Sequence, residues 1–173
     1  MNKIVKLTLI LFLVSAIVAG ILGLTNMVTE EPIKLYNEKK TAEAYSAVMD
    51  FNKYDAVDYK GDGTVTKVYK TDTGNWIVEA EVSGSQGMIT VAVGVNADLT
   101  CNGISIISSS ETSGLGSKAS NAEFKDQFVG ISADQAKVTK DGGVINAITG
   151  ATITSRAVCT AVDAAIAAVS TLG

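Results

Sequence analysis

The distribution of apolar and polar positions divides the chain into three textures. From Leu7 to Met27 there are 21 residues without a charge. At ~1.5 Å rise per residue, such a run spans about the ~30 Å hydrocarbon core of a bilayer, so one membrane-spanning helix is expected. Residues 34–50 read as a surface helix, with Leu35, Ala42, Tyr45 and Val48 among its apolar positions. Pro32 is the only proline. It predicts a break in the helical ladder where the chain leaves the membrane. Four β-branched stretches follow, Thr64–Lys70, Asn75–Val82, Met88–Val95 and Gly103–Ser109, each bounded by Gly, Asp or Asn. Trp76, Val78, Ala80 and Val82 share one parity, the pattern of a half-buried strand in an antiparallel meander. Short helical segments are expected over 120–129 and 132–137. Ser155–Leu172 reads as a C-terminal helix whose small side chains allow close packing on a sheet. The fold class is therefore α+β: a single N-terminal transmembrane helix, then a twisted antiparallel sheet flanked by helices. Boundaries fall at 1–28 for the anchor, 29–60 for a juxtamembrane segment and helix, and 61–173 for the globular domain.

Composition sharpens this picture. Hydrophobic residues make up 47% of the chain and charged ones 18%, an imbalance partly due to the anchor. A cleaved signal peptide has an apolar region of only ~7–15 residues; this run is longer and no A-x-A site closes it, which favours an uncleaved anchor. Lys3 and Lys6 precede the run, while Glu30 and Glu31 follow it. Positive residues stay on the cytoplasmic side, so the N-terminus is expected inside and the domain outside the cell membrane. All 18 acidic residues lie beyond Met27 with 12 of the 14 basic ones, giving that part a net charge of −6. This sign disfavours nucleic acid and anionic lipid surfaces as partners.

The missing residue types exclude whole chemistries. With no His there is no Ser-His or Cys-His dyad and no imidazole-built metal site. Two cysteines, Cys101 and Cys159, cannot supply the four thiolates of an iron–sulfur cluster. They are expected as buried free thiols, with a disulfide as the alternative outside the cytoplasm. Redox chemistry here would need an organic cofactor or a partner's.

Two segments carry candidate chemistry. Thr149-Gly150-Ala151-Thr152-Ile153-Thr154-Ser155 places four hydroxyls just ahead of the C-terminal helix. Hydroxyls there cap free backbone N–H groups, and the same groups with the helix dipole favour an anion. Glu111-Thr112-Ser113-Gly114-Leu115-Gly116-Ser117-Lys118 follows a strand, and its glycines let backbone N–H groups approach a ligand. Leu115 offers an apolar face, Glu111 and Thr112 polar anchors, and Lys118 a cation.

Thr149-Gly150-Ala151-Thr152 resembles the [Ser/Thr]-Gly-Ala-Thr flavinylation motif of the FMN-binding domain. That domain occurs in the G subunit of the Rnf complex and the C subunit of the sodium-translocating NADH:quinone reductase. Asn26-x-x-Thr29-x-x-Pro32-Ile33 after a single anchor looks like the start of the Rnf G subunit. Glu111 to Gly116 is similar to the family's Glu-Thr-Pro-Gly-Leu-Gly loop, and Phe124-Lys125-Asp126-Gln127-Phe128 to its Phe-x-x-Gln-Phe segment. Order and spacing agree over nearly the whole chain, and the compact size resembles the Rnf protein more. The resemblance implies that residues 61–173 bind FMN, joined through its phosphate to the hydroxyl of Thr152. It implies that Thr149, Gly150, Ala151, Thr154 and Ser155 shape the attachment site. Leu115 would pack on the isoalloxazine, Glu111 and Thr112 would contact its polar edge, and Gly116 and Lys118 would complete that loop. Ser113 departs from the family's Pro and Asn146 from its Asp, the latter a change that bears on attachment efficiency.

The implied role is an electron carrier in an ion-translocating ferredoxin:NAD+ oxidoreductase. Its implied partners are other membrane subunits, among them a second flavin subunit and an iron–sulfur-bearing membrane pair. Thr is a poor nucleophile and no base stands near it in sequence, which disfavours self-modification; the resemblance implies an FAD-dependent FMN transferase for maturation. Two alternatives are a stand-alone anchored extracellular flavin reductase and a non-catalytic anchored binding module whose Thr-rich segment is only a helix cap.

Overall fold

The β-branched stretches form one antiparallel sheet in sequential order: β1 (Tyr54–Val57), β2 (Val65–Thr71), β3 (Trp76–Ser83), β4 (Met88–Val95) and β5 (Cys101–Ser109). The computed structural model describes residues 2–61 and 63–172. These fall into two compact units, Met1–Lys40 and Thr41–Gly173. The first is helical from Lys3 onward. Its helix, α1 (Lys3–Val48), continues into the second unit, and the apolar stretch of the first is exposed along its length. Pro32 lies inside α1 instead of ending it. A proline removes only the hydrogen bond to the carbonyl four residues back, here that of Val28, and good helix formers on both sides carry the ladder past it.

In the second unit the sheet is covered on both faces. One face carries Trp76, Val78, Ala80 and Val82 of β3 with Val91, Val93 and Val95 of β4. It packs against α3 (Thr152–Leu172), whose Ala157, Ala161, Ala165 and Ala168 are buried with Val158, Val162 and Val169. Small side chains on α3 let its axis approach the sheet closely, as expected.

The other face is covered by the last turns of α1. Ala44, Tyr45 and Val48, with Met49 just beyond, pack on Ile77, Ala92 and Ile107. Strand β3 is thus buried on both faces over most of its length rather than half-buried. Period-2 alternation still marks its parity, but the polar-looking positions also face protein. Glu79 is only 5% exposed. Its Oε1 accepts a hydrogen bond from the Tyr45 hydroxyl at 2.5 Å, and its Oε2 lies 2.9 Å from Nζ of Lys67. Burial pushes the Tyr45 hydroxyl well above its ordinary range, and the bond to Glu79 adds to it.

Glycines admit the helix end. A Cβ on Gly94 would sit 2.7 Å from the Val48 carbonyl oxygen, whereas one on Gly103, its register partner on β5, would stand 3.6 Å away in ordinary contact. That carbonyl accepts from Nδ2 of Asn102 at 2.7 Å, which satisfies one of the orphan acceptors of the helix end.

Between β5 and α3 the chain runs through short turns of helix. Three-ten turns at Gly116–Ser120, Asp126–Phe128, Ala133–Gln135 and Thr139–Asp141 surround the single α-turn α2 (Ala122–Lys125). The expected segments at 120–129 and 132–137 are these, shorter and tighter than drawn from sequence. Phe124 and Phe128 enter the core edge to face, with centroids 5.3 Å apart. Cys101 and Cys159 are buried free thiols, each pushed up to about 12 by burial.

Candidate functional site

The start of α3 is built by a four-residue turn. The Ile148 carbonyl accepts the Ala151 N–H at 2.9 Å across Thr149-Gly150, and Gly150 sits at φ +80°. This is the position of a type II turn that demands a residue tolerant of left-handed φ. A Cβ at Gly150 would also stand 3.3 Å from Cδ2 of Leu115, so the turn lies against the glycine loop. Helix α3 begins at Thr152, three residues earlier than the sequence suggests.

The hydroxyls of the motif take different positions. Ser155 is fully buried; its Oγ donates to the Ala151 carbonyl at 3.0 Å and accepts the Ile148 N–H at 2.9 Å. It locks the turn onto the helix. Thr154, also buried, donates to Oε2 of Glu111 at 2.5 Å. Both hydroxyls shape the helix start, Thr154 through Glu111 and Ser155 through the turn. Among the described residues, the hydroxyls of Thr149 and Thr152 make no hydrogen bond. Ala151 is buried and its N–H closes the turn.

Glu111 organises the rest. Its Oε1 accepts the N–H groups of Ser85 and Gln86 at 2.7 and 3.0 Å, while Oε2 holds Thr154. One carboxylate thus ties together the β3–β4 hairpin, the glycine loop and α3. Glycines make room for it: a Cβ on Gly116 would lie 2.5 Å from Oε2, and one on Gly84 would collide with Oε1. Desolvation works to raise the carboxyl's pKa, yet the bonds from Thr154, Gln86 and Ser85 outweigh it and hold the group below its ordinary range.

These elements enclose a cavity of about 370 Å³. Glu111, Thr112, Leu115, Gly116, Gly150, Ala151, Thr152 and Thr154 line it, joined by Ser85, Gln86 and Ile153. Sequence reasoning missed the last three. The hairpin tip lies 25 residues before Glu111 and carries no motif; only a flanking Gly84 and Gly87 mark it. Lys118 and Thr149 line a neighbouring cleft of about 220 Å³ with Phe124, Gln127 and Asn146, outside the main cavity. Gln127 takes the Asn146 N–H on its Oε1 at 2.7 Å and so fixes the strand of chain that leads into the turn.

What the cavity can hold follows from its walls. The first-turn N–H groups of α3 have no helical carbonyl to serve them, and with the dipole they suit an anion. Leu115 and Ile153 are 44% and 58% exposed and give apolar surface at the cavity. Among the described residues, Glu111 is the one titratable group on its lining, and its oxygens are already engaged.

The FMN-binding domain family matches residues 84–167, which include every residue lining the cavity. The G subunit of the ion-translocating oxidoreductase complex of Methanosarcina acetivorans is 33% identical over 98% of this chain and 96% of its own length. The chain belongs to this G-subunit family. The G subunit of the Na(+)-translocating ferredoxin:NAD(+) oxidoreductase complex of Acetobacterium woodii is 37% identical, covering 93% of this chain and 89% of that one. Its proton-translocating counterpart in Clostridium ljungdahlii is 34% identical, covering 96% and 89%. The solved structure of Shewanella oneidensis NqrC aligns with a TM-score of 0.48 and 23% identity over 69% of this chain and 66% of that one.

The walls of the cavity fit FMN. They offer an anion seat and the apolar Ile153 on α3, the apolar Leu115 on the glycine loop, and an uncommitted hydroxyl at Thr152. In this protein Thr152 is half-buried at the first position of α3 and lines the cavity with that hydroxyl uncommitted.

Proposed function

We propose that this protein carries FMN covalently on Thr152 and relays electrons within a membrane-bound, ion-translocating ferredoxin:NAD+ oxidoreductase complex of the Rnf type. The observation that carries the site is the sorting of hydroxyls. Thr154 and Ser155 are spent on Glu111 and Ala151, Thr149 faces another cleft, and Thr152 alone of the four is both free and on the cavity.

Bound FMN supplies one- and two-electron chemistry that the protein's own side chains lack. The residues bind and orient it. A phosphodiester at Thr152 retains one negative charge beside the N–H groups of Thr152, Ile153 and Thr154, where the helix dipole stabilises it. Leu115 gives apolar contact to the ring system, and Thr112 gives a hydroxyl. Glu111 acts through the Ser85–Gln86 hairpin and Thr154, holding the walls in place.

Among the described residues, Glu111 is the one titratable group on the cavity lining, and its oxygens are already taken by Ser85, Gln86 and Thr154. As the family resemblance implies, attachment falls to an FAD-dependent FMN transferase: the Thr152 oxygen bonds to the FMN phosphorus of FAD, the phosphoanhydride bond breaks with departure of AMP, and the transferase takes the hydroxyl proton. The domain works on the extracytoplasmic face of the cell membrane, with the N-terminus cytoplasmic and α1 as the single span. The partners are other membrane subunits of the complex, including a second flavin subunit and an iron–sulfur-bearing pair. A covalent bond suits that location, since a dissociated FMN would be lost outside the cell.

The test is flavin fluorescence in a denaturing gel, using full-length protein made together with the transferase. A fluorescent band at the mass of the protein is expected. A dark band would favour the anchored binding module instead.

A further inference from the structure

We propose that Gln86, at the tip of the β3–β4 hairpin, binds the pyrimidine edge of the flavin ring and raises the cofactor's reduction potential. The inference rests on FMN occupying the cavity described above.

The argument is one of supply and demand among polar atoms. The pyrimidine edge of an isoalloxazine presents an N–H between two carbonyls, so its recognition takes both donors and acceptors. Glu111 is the residue that the loop sequence offers for this role. Its carboxylate has no donor, and both oxygens already accept bonds from Ser85, Gln86 and Thr154. Thr154 is committed to it, and Thr152 is taken by the phosphate. Leu115, Ile153, Ala151, Gly116 and Gly150 bring no polar side-chain atom. The hydroxyls of Ser85 and Thr112 remain, but Gln86 is the one lining residue whose side chain carries an NH₂ and a carbonyl on the same planar group. Among the described residues, neither of those atoms has a hydrogen-bond partner.

The backbone under Gln86 is fixed. Ser83 pairs with Met88 in the ladder, the Gly84 N–H donates to the Gly87 carbonyl at 2.8 Å, and Glu111 takes the next two N–H groups. A two-residue tip so tethered holds Gln86 on the cavity lining, exposed, with its amide free to turn. Reduction adds electron density to the pyrimidine carbonyls. An NH₂ donor beside them binds the reduced ring more tightly than the oxidised one, which is what raises a potential.

The experiment compares the full chain with Gln86→Ala and Gln86→Met, each co-produced with the transferase and purified in detergent. Covalent flavin is read by intact mass, and the potential by spectroscopic redox titration. Both variants should carry as much covalent flavin as the parent. Their oxidised-to-reduced equilibrium should shift about tenfold toward the oxidised form, the size of one charge-assisted hydrogen bond and ~30 mV for a two-electron couple. A parental potential and visible spectrum in both variants would overturn the assignment. Loss of covalent flavin in the variants alone would also overturn it, placing Gln86 in attachment rather than in ring binding. A parent without covalent flavin would refute the proposed function, and this would be seen before any substitution is compared.

Discussion

Glu111 accepts three hydrogen bonds from two segments far apart in sequence, and two glycines are spent on giving it space. The balance of burial against those donors leaves its folded-state pKa below the ordinary value of 4.5. A carboxylate shifted in that direction stabilises the fold fully above its unfolded pKa and loses the contribution as pH falls through the lower, folded value. Glu111→Gln should therefore cost about 1–2 kcal/mol near pH 7, with a smaller gap to the parent below the carboxylate range. Thermal melts of the two proteins across pH would check it; an equal gap at acid and neutral pH would contradict the role. At this scale the sequence is half informative. Thr152, Leu115 and Glu111 stand in motifs and could be picked out along the chain. What Glu111 does there could not, because its donors at Ser85 and Gln86 belong to a hairpin with no signature. The roles of Thr154 and Ser155 were equally hidden, since a hydroxyl at a helix start looks the same whether it faces a ligand or locks the turn beneath it.

The elements were legible wherever burial leaves a periodic trace. Strands β2 to β5 and α3 stand at or near their expected places because β-branched alternation and an Ala/Val face each persist for seven residues or more. Strand β1 was not legible: it is four residues long, lies at the sheet edge and is mostly exposed, so no apolar period marks it. The cover over the outer sheet face was also missed, because Ala44, Tyr45 and Val48 lie at the end of a helix that is exposed over most of its length. Gly94 reports on that cover. Gly94→Ala would bring a methyl within 2.7 Å of the Val48 carbonyl, backbone that cannot swing aside as a side chain could. A destabilisation of about 1–3 kcal/mol is expected by overpacking, read as a lower melting temperature. An unchanged melting temperature would mean that the helix end does not seat on β4 and β5.

For the whole molecule, the sequence separates anchor from domain by texture alone, and the structure divides at Lys40. The charge pattern sets a testable orientation: Lys3 and Lys6 are the basic residues ahead of the apolar run. Lys3→Glu with Lys6→Glu should reduce the fraction of chains inserted with the C-terminal domain outside, seen as less domain digested by protease added to intact cells. Unchanged digestion would show that these charges do not set the topology. The central claim is the bond at Thr152, and intact-protein mass spectrometry of the native protein beside Thr152→Ala tests it most directly. The account predicts a native mass greater by one esterified FMN and a variant that folds but lacks the addition. A native protein at its bare polypeptide mass, or a variant that still carries the flavin, would contradict it.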